Sequence, residues 1–221
     1  MNVINRTALV LSFLLAAACG DGGHHAATTP AAAAATPADP VLTALAARRN
    51  DALARLDAYA ARAQFPVDDD GLPVGIFRDR SGVRCPMAEV IQLSGRADLV
   101  DTVARTDNHL KLATVHDGPL MDWMRGSGLT HEEIVMVQGA MNWSTANMEG
   151  PNGIPHEMIA AMARQQVKGR VMADIAVLRA QTAGSVVAAA ARLSPAERLA
   201  ILAAPPAKPA SAPAVAALPR R

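Results

Sequence analysis

Four residues in the middle of this 221-residue chain have the side-chain chemistry of a metal centre: Cys85, His109, His116 and Asp117. A thiolate, two neutral imidazoles and a carboxylate suit zinc or copper when a fold brings them within bonding distance. The competing reading is structural, with Asn108-His109 and His116-Asp117 standing at helix ends. Two further pairs, His131-Glu132 and His156-Glu157, begin like the His-Glu-x-x-His zinc motif, but Val135 and Ala160 occupy the positions of its second histidine. No glycine-rich loop ends in Lys-Ser or Lys-Thr, there is no Cys-x-x-Cys, and Gly126-Ser127-Gly128 lacks the spacing of a nucleophile elbow. Phosphate-loop, haem-attachment and serine-hydrolase chemistry therefore have no support. Methionines concentrate within residues 121–172, among them Met121-x-x-Met124 and Met158-x-x-x-Met162. Thioethers can bind copper(I), but at helical spacing these side chains are expected to fill a core.

The chain has two cysteines, and the first closes a distinct N-terminal pattern. Arg6 precedes an apolar run over residues 8–15, which ends in Ala16-Ala17-Ala18-Cys19. The run is too short to cross a bilayer and carries its charge in front, as secretory signals do. With small residues before the cysteine, this segment resembles the N-terminus of bacterial lipoprotein precursors. The resemblance implies removal of residues 1–18, acylation of the Cys19 thiol and α-amine, and display on an extracytoplasmic membrane face, inner or outer. At about 0.8 kcal/mol per buried methylene, several acyl chains make an effectively permanent anchor. Cys85 is then left without an intrachain disulfide partner, so packing must hold the domain together. A lone thiol of that kind is expected to sit as a small buried hydrophobe.

Residues 20–38 contain glycine, histidine, alanine, threonine and proline but no large apolar side chain. They cannot bury enough surface to order themselves and are expected to form a flexible tether spanning roughly 25 Å. Residues 204–221, punctuated by Pro205, Pro206, Pro209, Pro213 and Pro219, are expected to be a disordered tail. Between them, residues 39–203 read as a single, mainly α domain with one small β-hairpin. Asp39-Pro40 is a helix cap followed by proline at the first helical position. Leu42, Leu45, Ala52, Leu56, Tyr59 and Ala63 then recur at spacings of three and four, with Arg49 interrupting the stripe. Asp68-Asp69-Asp70-Gly71 reads as a surface turn, because the residues after it supply none of the further ligands a calcium loop requires. Val74 and Ile76, then Val83 and Cys85, flank the Arg78-Asp79-Arg80-Ser81-Gly82 turn of the expected hairpin.

Short helices are expected to follow from Pro86, around Leu99, Val100 and Val103, and from Gly118-Pro119, the last ending at Gly126-Ser127-Gly128. Thr130 and Glu133 form a capping box, with Leu129 and Ile134 as its hydrophobic staple. Pro155 begins a long helical stretch, expected to kink near Gly184-Ser185. Ser194 and Glu197 repeat the capping-box pattern for a last helix.

Residues 77–138 also resemble an uncharacterised group of exported bacterial proteins. The likeness rests on Phe77-Arg78-Asp79, Gly82, Cys85, Ser94-Gly95, Ser127-Gly128-Leu129-Thr130-x-Glu132-Glu133 and Gln138. These are mostly turn and cap signatures, and the resemblance carries no activity with it. A formal charge of +1 provides no long-range field to draw nucleic acid. The expected function is that of a non-enzymatic, cofactor-free domain, held at the membrane by its lipid and contacting an envelope protein or a cell-wall component. The alternative is an envelope metal-binding protein or enzyme centred on Cys85, His109 and His116.

Overall fold

A computed structural model describes residues 39–142 and 153–204. The expected signal segment, Cys19, the expected tether, residues 143–152 and residues 205–221 of the expected tail lie outside the described residues. Within them the chain forms eight α-helices: α1 (Pro40–Arg62), α2 (Pro86–Leu93), α3 (Ala97–Thr106), α4 (Gly118–Gly126), α5 (His131–Gly139), α6 (His156–Ala180), α7 (Thr182–Ala191) and α8 (Pro195–Ala203). A single 3₁₀ turn, Leu112–Thr114, precedes α4.

The first helix organises the rest. Its start is set by Asp39, whose carboxylate accepts the Val41 amide hydrogen at 2.8 Å, with Pro40 in the first turn. It packs against α2, α6, α7 and α8. Val41 and Leu45 join Val186, Ala189, Ala190 and Ile201 in one apolar cluster. From Ala52 onward the same helix enters the main core, with Leu56, Ile91, Val137 and Val171. Each fully buried aliphatic side chain of this kind contributes about 1.5–3 kcal/mol. Both expected capping boxes are present: Thr130 with Glu133 opens α5, and Ser194 with Glu197 opens α8.

Arg49 sits on α1 between the two apolar clusters and is fully buried. Its guanidinium meets Glu133 with two 2.7 Å bonds, Nη1 to Oε2 and Nη2 to Oε1. The remaining donors reach the Gly128 carbonyl at 3.3 Å, the Leu178 carbonyl at 2.5 Å and the Thr182 hydroxyl at 3.4 Å. Every N–H of the guanidinium therefore has an acceptor. Glu133 is equally well satisfied, since Oε1 also accepts from Ser185 Oγ at 2.7 Å and Oε2 from the Thr130 amide at 2.8 Å. Burial pushes the Glu133 carboxyl up, but the bonds from Arg49, Ser185 and Thr130 outweigh it and hold the group below its ordinary value.

This network moves the expected kink. The chain bends by 76° between α6 and α7, at Gln181 rather than at Gly184-Ser185. The Leu178 carbonyl accepts from Arg49 Nη2 and from Thr182 Oγ1, so the polar groups that mark the bend lie two to six residues before Gly184. Gly184 and Ser185 continue inside α7, where the Ser185 hydroxyl is committed to Glu133.

The expected hairpin also changes form. Among the described residues there is no strand, only isolated antiparallel bridges joining Arg78 to Arg84 and Val67 to Pro73. Asp79 gathers the turn by accepting from the Ser81 and Val83 amides. The ladder cannot extend, because Phe77 donates its amide to the Asn108 carbonyl and Pro86 begins a helix directly after Cys85. The methionine stripe divides as well: Met124 and Met141 are buried, but Met158, Met162 and Met172 are exposed. The inward face of α6 belongs to Ala160, Ala163, Val167, Val171, Ile175 and Leu178, at spacings of three and four, which turns those three methionines away from the core.

Gly128 shows how closely these parts are fitted. It adopts φ +82°, and a Cβ there would lie 2.2 Å from the Leu45 carbonyl oxygen and 2.8 Å from the Arg49 nitrogen. Only glycine lets this loop rest on α1. Gly128→Ala is expected to cost about 4 kcal/mol or more, since both the backbone conformation and the contact are lost. Urea denaturation followed by circular dichroism checks this, and a loss below about 1 kcal/mol would show that α1 and the loop can separate freely.

Candidate functional site

The four residues read as a possible metal set occupy separate positions. Cys85 is buried at the start of α2, where its sulfur accepts the Ala88 amide hydrogen at 3.4 Å. Burial pushes its thiol up to about 11, with the hydrogen bond from Ala88 opposing the shift. His109 is exposed, and its amide donates to Asp107. His116 is exposed, its ring 6.5 Å from that of His131. Asp117 precedes α4 but makes no side-chain cap bond. Among the described residues, no three His, Cys, Asp or Glu side chains form a group able to hold a metal ion. His131 and His156 instead bond the Leu112 and Asp70 carbonyls.

The motif residues of the exported-protein likeness are occupied in the same way. Phe77 and Cys85 are core side chains, and Gln138 clamps the 3₁₀ segment by accepting from the Leu112 amide and donating to the Leu110 carbonyl. Gly128, Thr130 and Glu133 belong to the Arg49 network.

What remains open is a cleft of about 390 Å³ where α1, α2 and α4 meet. Arg48, Asp51, Ser94, Arg96, Asp122 and Trp123 provide its polar and aromatic lining, over an apolar floor that includes Ala52 and Val90. Arg48 reaches from α1 to the Gly126 carbonyl at 2.9 Å and the Ile201 carbonyl at 3.0 Å, which ties the end of α4 to α8. Trp123 donates its indole N–H to Ser94 Oγ at 2.8 Å, and that hydroxyl donates in turn to the Ile91 carbonyl. The indole is thereby fixed before any ligand arrives. Arg96 is held flat by two bonds to Asp98, and the hydrogen bond to Asp98 raises the Arg96 pKa. The Asp122 carboxylate makes no hydrogen bond or ion pair among the described residues, and its charge contributes to the raised Arg96 pKa.

A wider hollow of about 590 Å³ lies beside the bend between α6 and α7, but its charged groups are already used. Glu132 and Arg192 close on each other through two 3.0 Å bonds, and the Arg192 hydrogen bond leads the causes that lower the Glu132 carboxyl to about 2. Glu133, on its inner side, is committed to Arg49. The cleft beside Trp123 is therefore the better candidate, because it alone of the two keeps an uncommitted carboxylate.

Behind the cleft stands Arg55, whose side chain is 2% exposed. Its Nη2 binds Asp51 Oδ2 at 2.7 Å, while Nε and Nη1 have no partner among the described residues. Asp51 thus does two things: it lines the cleft and it neutralises a buried guanidinium. The spacing puts Arg48, Asp51 and Arg55 on faces of α1 other than the apolar stripe, yet Arg55 is buried, and the cleft is not readable from the sequence. The available signal was the recurrence of Arg48, Asp51 and Arg55 at spacings of three and four, a second polar row beside the apolar stripe.

Comparison with protein-family models, curated proteins and solved structures finds no match.

The Asp51–Arg55 pair gives an asymmetric expectation. Asp51→Ala leaves a buried cation uncompensated and is expected to cost about 3–5 kcal/mol, whereas Arg55→Met removes the orphaned donors together with the charge and is expected to stay within about 1 kcal/mol of the parent. Equilibrium urea denaturation of the two variants decides it. Equal losses would mean that Arg55 is satisfied as it stands.

Proposed function

We propose that this chain is a lipid-anchored protein of a bacterial envelope, whose helical domain contacts an envelope protein or a cell-wall component without transforming it chemically. The observation that carries this reading is the order of parts along the chain. Arg6, the apolar run, three alanines and Cys19 are followed by a stretch without large apolar residues, and then by the capped start of α1 at Asp39. A signal, an acylation site, a tether and a domain in that order suit a protein displayed at a distance from the lipid surface.

The described domain is compatible with this role in two respects. Three of its reactive side chains help to hold the fold: Cys85 caps a helix, and His131 and His156 bind backbone carbonyls. Its preformed cleft combines one aromatic side chain with charges of both signs, which suits recognition of a polar surface.

The test is the fate of the chain when Cys19 is changed. Expressed in a bacterial host, the parent is expected to incorporate labelled palmitate and to sediment with membranes. Cys19→Ala is expected to lose the label and to appear in the soluble envelope fraction with an unchanged circular dichroism spectrum. Retention of that variant in the membrane pellet, still folded, would refute lipid anchoring through Cys19.

A further inference from the structure

We infer that the cleft between α1, α2 and α4 is a saccharide-binding site that takes an uncharged sugar ring. This deepens the envelope reading above and rests on it for the source of the ligand, though the chemistry of the cleft stands independently. Three properties lead to that class of ligand.

The first is charge. Arg48 and Arg96 stand with Asp51 and Asp122 around the opening, and the outer partners, Arg55 on Asp51 and Asp98 on Arg96, keep the positive and negative charges equal in number. A phosphate or carboxylate would face the two aspartates, and an amine would face the two arginines, so either loses on one side what it gains on the other. A neutral ligand meets no such opposition.

The second is the alternation of donors and acceptors. A sugar hydroxyl donates and accepts at once, so a wall presenting carboxylates beside guanidinium N–H groups can satisfy it in both directions. Asp122 is the one carboxylate of the lining left unpaired among the described residues, while Asp51 is held in place by Arg55. Hydrogen bonds to ionised groups are the stronger kind, and no ordering of Asp51 is needed to form them.

The third is the aromatic side chain. Trp123 is partly buried against the core and is held by Ser94. Its polar atom is thus spent within the protein, and what it offers the cleft is ring surface. A pyranose has one face of C–H bonds that suits such a surface and a rim of hydroxyls that suits the charged groups. The volume, about 390 Å³, falls within the roughly 300–1,000 Å³ of small-ligand sites and is open enough for a ring at the end of a longer glycan.

Titration calorimetry on the purified full-length chain, kept in a detergent without a sugar headgroup, tests the proposal. The probes are N-acetylglucosamine, its β-1,4-linked trimer, inorganic phosphate and ethanolamine. Saturable heat with the sugars and none with phosphate or ethanolamine is expected, the trimer gaining over the monomer if the source is a polymeric glycan and matching it if the source is a free sugar. Asp122→Asn, at an exposed position, is expected to weaken binding about tenfold, the size of one charge-assisted hydrogen bond. Trp123→Ala is expected to weaken it by about a hundredfold and Trp123→Phe to restore part of the loss. Absence of saturable heat with both sugars, preference for phosphate or ethanolamine, or unchanged affinity in Asp122→Asn overturns the proposal. None of those results bears on Cys19 acylation, which the palmitate experiment reads separately.

Discussion

A buried arginine is the constraint around which this domain is arranged. The Arg49 guanidinium has no access to solvent, and a charge in that position is tolerable only if it is fully paired and bonded. Its partners come from Glu133 on α5, the Gly128 loop, the last turn of α6 and the start of α7. One residue of α1 thereby fixes the positions of four other segments. The approach of Gly128 to α1, the capping box of α5 and the bend at Gln181 all meet at the same pair of charges.

The same pairing sets the cleft. Successive residues of an α-helix are rotated by about 100°, so locking Arg49 inward fixes where its neighbours face. Arg48 is directed to the Gly126 and Ile201 carbonyls, and Asp51 to the mouth beside Ser94 and Trp123. Ser127, next to the glycine that receives Arg49, closes α4 by bonding the Met124 carbonyl and the Leu129 amide. The helix carrying Asp122 and Trp123 is therefore positioned from the same centre. The cleft is built from the outward-facing neighbours of the network.

Local signals in the sequence lead directly to much of this fold. Asp39-Pro40, Thr130 with Glu133 and Ser194 with Glu197 each mark a helix start, because a cap is an interaction between residues only a few positions apart. Gly126-Ser127-Gly128 marks a helix end for the same reason. The bend of α6 into α7 is not readable in this way, since it depends on Arg49, more than a hundred residues earlier, competing for the Leu178 carbonyl. The hairpin reading fails through a comparable long-range bond, the Phe77 amide being taken by Asn108. For the candidate site, residue types pointed to Cys85, His109, His116 and Asp117, yet the fold separates them. The cleft residues do not mark a site in the sequence, because arginine, aspartate and serine are common on helix faces and turns, and only packing brings them together with Trp123. Arg49 itself was visible as an interruption in an apolar stripe, although nothing in the sequence names its partner.

The claim that most needs measurement is that Arg49 and Glu133 stabilise the domain as a unit. A double-mutant cycle using Arg49→Met, Glu133→Gln and the two combined, read by equilibrium urea denaturation, isolates their coupling. Each single change strands a buried group and is expected to cost about 3–5 kcal/mol, while the combined change costs little more than the worse of the two. That pattern corresponds to a coupling of about 2 kcal/mol or more. Additive losses, or single losses under about 1 kcal/mol, would contradict the account and mean that the helices are held in place without this pair.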